Sequence, residues 1–121
     1  MTAPDWLQGL FQAIDARDAD AFVAYLTEDA VLRFGNGPPV TGRAAVRDTV
    51  AAFFEALAGV SHRLLDAWEV PDATICRGEV TYRRHDGRTL TVPFANIMKG
   101  SREAIREYVI YIDQSALFSP V

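Results

Sequence analysis

Four runs decide the fold: "VSHRLLDAWEV" (Val60–Val70), "ATICRGEVTYRRH" (Ala73–His85), "RTLTVPFANIM" (Arg88–Met98) and "EAIREYVIYI" (Glu103–Ile112). Each is rich in β-branched and aromatic residues and shows a period of two, the pattern of a strand with two different faces. The breaks between them are Pro71-Asp72, Asp86-Gly87 and Lys99-Gly100-Ser101, all residues that turn a chain. Short breaks join antiparallel neighbours, so the spacing predicts a four-stranded antiparallel meander over 60–113.

Upstream the period changes to that of a helix. Trp6, Leu7, Leu10, Phe11 and Ile14 recur at helical spacing, and Asp18 is placed to cap a second short helix carrying Phe22, Tyr25 and Leu26. "AVLRF" (Ala30–Phe34) reads as a short strand near 30–34. A third helix follows in "GRAAVRDTVAAFFEAL" (Gly42–Leu57), with Val46, Val50, Phe53, Phe54 and Leu57 on one side. Three apolar helix stripes need a surface, and one face of the meander supplies it. The class is therefore α+β.

The segment before the third helix, "RFGNGPPVTG" (Arg33–Gly42), resembles a phosphate-binding loop only at first sight. Gly35, Gly37 and Gly42 lack the spacing of such loops, no Gly-Lys-Ser/Thr closes it, and Pro38 and Pro39 remove two amide donors. It reads as a rigid turn. The whole chain, 121 residues with 50% hydrophobic and 23% charged, suits one domain over 1–121. A formal charge of −4 gives no support to a nucleic-acid partner. "MTAPDWLQGLF" lacks a signal-peptide pattern, no run reaches membrane-spanning length, and Cys76 is the lone cysteine, so a cytoplasmic location is expected.

"DARDADAFVAYLTEDAVLRF", "PPVTGRAAVRDTVAAFF" and the meander ending "EYVIYID" resemble the nuclear transport factor 2-like, or SnoaL-like, superfamily along nearly the whole chain. The resemblance implies a cone-shaped fold with three N-terminal helices on a strongly curved antiparallel sheet. It also implies a pocket for a small molecule and a homodimer through the sheet. Relatives include ketosteroid isomerase, scytalone dehydratase, limonene epoxide hydrolase, polyketide cyclases and proteins without catalysis, so the fold names no reaction. Aligned on Gly87, Arg77 and Glu79 fall on the arginine and one acid of limonene epoxide hydrolase. The second acid falls on Ile110, and the water-holding residues fall on Leu32 and Phe34. Against ketosteroid isomerase, Asn96 falls on the oxyanion-hole aspartate, whereas the general base falls on Phe34 and the oxyanion tyrosine near Leu10. Neither catalytic set is complete.

Two-residue turns at Asp86-Gly87 and Pro71-Asp72 would pair Arg77 with Asn96, Glu79 with Phe94, Asp66 with Arg77 and His62 with Thr81. Paired residues share a face. One face would then carry His62, Asp66, Trp68, Arg77, Glu79, Phe94, Asn96 and Met98, and it is the candidate pocket. The other face, with Leu65, Ala67, Cys76, Val80, Tyr82, Pro93, Ala95 and Ile97, would be a buried surface or a dimer interface. On this register Asp66 or Glu79 is the candidate general base and Arg77 its orienting cation. Asn96 would donate to a ligand oxygen. Trp68, Phe94 and Met98 would form walls, with His62 at the rim and Tyr108 joining if the last loop is odd in length. Arg77 with Glu79 or Asp66 reads equally as a structural ion pair. Metal binding has no support, since His62 and His85 share no ligand spacing, and no cofactor is expected. Two readings stay open. One is cofactor-free acid–base chemistry (isomerase, cyclase, dehydratase or hydrolase type) on a small, mostly apolar, oxygen-bearing molecule; the other is a non-catalytic binding or dimerisation module.

Overall fold

In the computed structural model, which describes residues 3–118, the apolar stripes and the alternating runs meet as the patterns require. The described residues form α1 (Asp5–Asp15), α2 (Ala19–Val23), β1 (Leu26–Phe34), β2 (Val40–Thr41), α3 (Arg43–Glu55), β3 (Gly59–Val70), β4 (Ala73–Arg83), β5 (Thr89–Ser101) and β6 (Ala104–Ile112). α1 buries Trp6, Leu7, Leu10 and Phe11. The Asp18 carboxylate accepts from the Ala21 amide and caps α2. The helices lie against one face of a six-stranded sheet ordered β2-β1-β6-β5-β4-β3. This is the α+β cone, and the core lies between its layers, around Leu7, Leu10, Val46, Leu57, Val80, Met98 and Ile105.

The sheet departs from the expected one at its β1 edge. β1 begins at Leu26, four residues before the expected short strand, and it pairs with β6 in parallel. The sheet is therefore mixed rather than wholly antiparallel. Parallel neighbours need a long crossover, and α3 with three strands of meander supplies it. The two-residue strand β2 adds a sixth member by pairing Val40 with Leu32 and Thr41 with Val31.

Register is where the sequence reading needs correction. Pro71-Asp72 is a two-residue turn as expected, with Val70 opposite Ala73 and Asp66 opposite Arg77. β3 then carries a bulge at Leu65, so Leu64 faces Gly78 and His62 faces Val80, not Thr81. Gly78 is what admits the bulge. A Cβ there would stand 2.1 Å from the Arg63 carbonyl oxygen, so no side chain fits beneath the kinked strand. The second hairpin closes through three residues, His85-Asp86-Gly87, with the Arg84 amide donating to the Arg88 carbonyl and Arg83 opposite Thr89. Gly87 takes a left-handed φ of 89°, as a three-residue hairpin loop demands. One extra residue in that turn moves Asn96 opposite Cys76 and puts Pro93 opposite Glu79. The last turn falls at Arg102-Glu103, and an extra residue at Arg106 brings Tyr108 opposite Met98.

These one-residue shifts exchange the faces of β4. Cys76, Val80 and Tyr82, expected on the buried or dimer face, do point into the core, but they share it with Phe94, Asn96 and Met98. Arg77 and Glu79 turn outward, and so do Asp66 and Trp68 beyond the bulge. Along that outer face Trp68, Ile75, Ile97 and Val109 stand opposite one another across four strands. No helix among the described residues is long and apolar enough to cross a membrane.

Candidate functional site

Between the helices and the inner sheet face lies a cavity of about 300 Å³. Its walls are mostly aromatic and aliphatic: Phe11, Ile14 and Phe22 from the first two helices, Val50, Phe53 and Phe54 from α3, and Leu32, Phe34, Val60, Val80, Phe94, Ile110 and Ile112 from the sheet. Ring pairs hold this shape, with Phe34 and Phe53 at 5.2 Å and Phe53 edge-on to Tyr82 at 5.7 Å. Among the described residues no Asp, Glu, Lys or Arg lines it; the polar side chains are Thr49, His62, Tyr82, Asn96, Tyr108 and Gln114.

His62 owes its place to the Leu65 bulge, which turns it inward. Its imidazole sits between Phe11 at 4.8 Å and Phe94 at 5.2 Å. Nδ1 stands 2.6 Å from Asp15 Oδ1, and the His62 backbone amide donates to Asp15 Oδ2 at 3.1 Å. Both carboxylate oxygens are thus committed to one residue. The negative partner fixes the tautomer that carries its proton on Nδ1, which leaves Nε2 as the proton acceptor; it has no partner among the described residues. Asp15 itself faces a shallow surface hollow lined also by Gln8, Gln12 and Leu64, and His62 borders both spaces. The imidazole therefore stands between water and the cavity.

A second polar pair lies on β5 and β6. Asn96 and Tyr108 are 2% and 1% exposed, and Asn96 Nδ2 donates to the Tyr108 hydroxyl oxygen at 3.2 Å. Asn96 Oδ1 is buried without a partner. Burial holds the Tyr108 phenol well above its ordinary pKa, with the nearby Cys76 adding to the effect, so it stays neutral. The Cys76 thiol, also enclosed, is pushed up to about 12 by burial. Gln114, on the segment after β6, has its Oε1 buried and unpartnered as well.

The residues singled out from sequence divide between the two faces. His62, Phe94, Asn96 and Tyr108 line the cavity. Met98 is fully buried on the same face but lies outside the lining. Asp66, Arg77 and Glu79 are brought together only on the outer face, where Asp66 pairs with Arg77 at 2.6 Å and Glu79 with Arg63 at 2.5 Å. Trp68 joins them there at 48% exposure. The bulge and the three-residue hairpin account for this placement. Asp15 was not singled out, yet a signal exists: a carboxylate in the last turn of a helix opposes the helix dipole and calls for a partner.

Residues 7–108 match the SnoaL-like domain family model. A search of curated proteins found no match. Among solved structures, a hypothetical protein with a ketosteroid isomerase-like fold from Catenulispora acidiphila DSM 44928, in complex with trimethylamine, superposes with a TM-score of 0.86 at 17% identity, covering 98% of this chain and 100% of that one. A proposed SnoaL-like polyketide cyclase from Jannaschia sp. CCS1 gives 0.81 at 15% identity over 97% and 93%. TerC, co-crystallised with polyporic acid, gives 0.79 at 16% over 93% and 92%. Identities this low establish a common fold.

Proposed function

Since the chain belongs to the SnoaL-like domain family, we propose that it uses the cone cavity for cofactor-free acid–base chemistry on a small, neutral, mostly apolar molecule, with His62 as the group that moves the proton. One observation carries the reading: a histidine held by a carboxylate at 2.6 Å opens onto a mostly apolar cavity that no other ionic side chain among the described residues lines. Asp15 stabilises the imidazolium that forms when Nε2 takes a proton, and Phe11 and Phe94 keep the ring from turning away. A base so placed contributes about 10²–10⁴-fold. The size suits a ligand of one or two rings, and an uncharged one, because no ionic side chain among the described residues lines the walls to compensate a buried charge. That two fold neighbours were crystallised with small molecules supports a small-molecule ligand for this fold.

The outer face supports a second part of the proposal, a homodimer. Trp68, Val70 and Tyr111 are exposed there to 48%, 49% and 56%, beside the apolar row through Ile75 and Ile97.

A generic probe tests the base without knowledge of the substrate. 5-Nitrobenzisoxazole opens when a base removes its ring proton, and an apolar pocket favours that reaction. The wild-type protein is expected to open it faster than buffer, His62→Leu to lose at least 10-fold, and Asp66→Asn and Glu79→Gln on the outer face to stay within twofold. A His62→Leu variant that binds the probe and retains full rate would remove catalysis from this site and leave a binding protein.

A further inference from the structure

We infer that the inner end of the cavity, at the Asn96–Tyr108 pair, is a site for one uncharged hydroxyl group of the ligand, an alcohol or a phenol. This assignment rests on the cavity being the substrate site, as proposed above, and it specifies what the substrate carries. The two residues satisfy each other only in part. Asn96 Nδ2 donates to the Tyr108 hydroxyl oxygen at 3.2 Å, which uses that oxygen as an acceptor. The tyrosine's own proton has no acceptor among the described residues. Asn96 Oδ1 has no donor and is buried. A buried polar atom without a partner is costly, so it marks a place where a partner is supplied from outside.

The two vacancies have opposite sense, one acceptor and one donor, on side chains already joined to each other. A hydroxyl group meets both at once, donating its hydrogen to Asn96 Oδ1 and accepting from Tyr108. A ketone or ether satisfies only the tyrosine and leaves the amide oxygen unpaired. A carboxylate adds repulsion against that oxygen, with no cation among the described lining residues to offset it. The phenol of Tyr108 stays protonated because burial disfavours its charged form, so its donor is present throughout the neutral range. The remaining walls near this pair, Phe22, Val80 and Phe94, are apolar and suit the ring that would bear the hydroxyl.

Matched bicyclic probes test this by binding alone, independently of any turnover: naphthalene, 2-naphthol, 2-methoxynaphthalene, 2-acetylnaphthalene and 2-naphthoate, titrated against the full chain by calorimetry. The expected order puts 2-naphthol at least 10-fold tighter than the methoxy and acetyl compounds, with 2-naphthoate weakest. Asn96→Leu should bring naphthol and the methoxy compound within threefold of each other while still binding both. Tyr108→Phe, which keeps the amide, should retain a preference for naphthol. Equal affinities in the wild type overturn the hydroxyl site and leave the cavity reading standing. Tightest binding of the acetyl compound overturns it too, because Asn96 would then be donating. If none of the five binds, the cavity reading falls and the hydroxyl site falls with it.

Discussion

Replacing Gly78 by alanine probes the element that builds the site. In an ordinary strand position the change would help, since alanine costs the unfolded chain less freedom, by about 0.4–1 kcal/mol. Gly78 lies directly under the β3 bulge, and the new Cβ would sit 2.1 Å from the Arg63 carbonyl oxygen and 3.0 Å from Leu64 Cα. Carbon–oxygen contacts in sheets settle at about 3.3–3.6 Å, so the strands must part by more than about 1 Å. Neighbouring atoms are backbone and cannot swing aside. Overpacking of this kind costs roughly 1–3 kcal/mol, and losing one or two ladder bonds adds about 1 kcal/mol each. Net of the entropic gain, the expected loss is about 3 kcal/mol. For a chain this size that lowers Tm by about 12 °C. The alternative relief is for β3 to give up the bulge, which would rotate His62 away from the cavity. Thermal unfolding by circular dichroism, with 5-nitrobenzisoxazole turnover measured well below the new midpoint, reads both effects. A Tm that is unchanged or raised would refute the claim that the bulge requires this glycine.

Other outcomes follow from the same geometry. Asp15→Asn keeps the size of the side chain but removes the charge that stabilises an imidazolium, so the benzisoxazole rate should fall about 10-fold with little change in KM; equal rates would relieve Asp15 of any positioning role. Alkaline stability should decline. Burial raises the Cys76 pKa from 9.0 to about 12, so between those values the folded chain holds a proton the unfolded chain has lost, and stability falls as pH rises, by about 1.4 kcal/mol per pH unit. Urea unfolding at a series of pH values from 8 to 11 reads this slope, and Cys76→Ala should make it shallower. Trp68→Glu, on the outer face, should shift the protein toward monomer in sedimentation while leaving the melting midpoint of a diluted sample nearly unchanged; an unaltered molecular mass would move the dimer surface elsewhere.

How much of this was legible in the sequence is decided residue by residue. The helices and the meander were, because periodicity reports burial over ten or more residues and a single irregularity does not erase it. The parallel β1–β6 pairing was not, since alternation shows that a strand has two faces but says nothing of which neighbour it chooses. Phe94, Asn96 and Met98 were placed together correctly, because they lie on one uninterrupted strand. Asp66, Arg77 and Glu79 were set beside them through turn lengths, and there one residue is enough to reverse a face. Asp86-Gly87 suits a two-residue turn and equally the three-residue turn the chain adopts, in which the Asp86 carboxylate accepts from the Arg88 amide. The Leu65 bulge leaves no mark on β3 itself. Its mark is across the ladder, at Gly78, a glycine inside a strand pattern.

That glycine also explains why the charged row lies on the outer face, away from the cavity and from the proposed proton-transfer group. Asp66–Arg77 and Glu79–Arg63 are ion pairs whose members keep 36% to 71% of their side-chain surface, and exposed pairs of this kind contribute about 0–1 kcal/mol. Water screens them, so they have little hold on a small molecule. His62 and Asp15 differ in kind: the imidazole is 11% exposed and its carboxylate partner 32%, and the ring's free edge meets an apolar space. Where water is excluded a single well-placed ionisable group acts with less competition than a row of charges in solvent. The bulge that parts His62 from the face of Asp66 and Arg77 is thus the same feature that gives it a chemically useful environment. Deleting Leu65 removes only the unpaired residue, so Leu64 should stay opposite Gly78, Asp66 opposite Arg77 and His62 opposite Val80, now in a regular ladder. His62 should therefore still face the cavity and benzisoxazole turnover should survive, and a deletion variant that folds yet has lost its rate would refute this account of how His62 is placed.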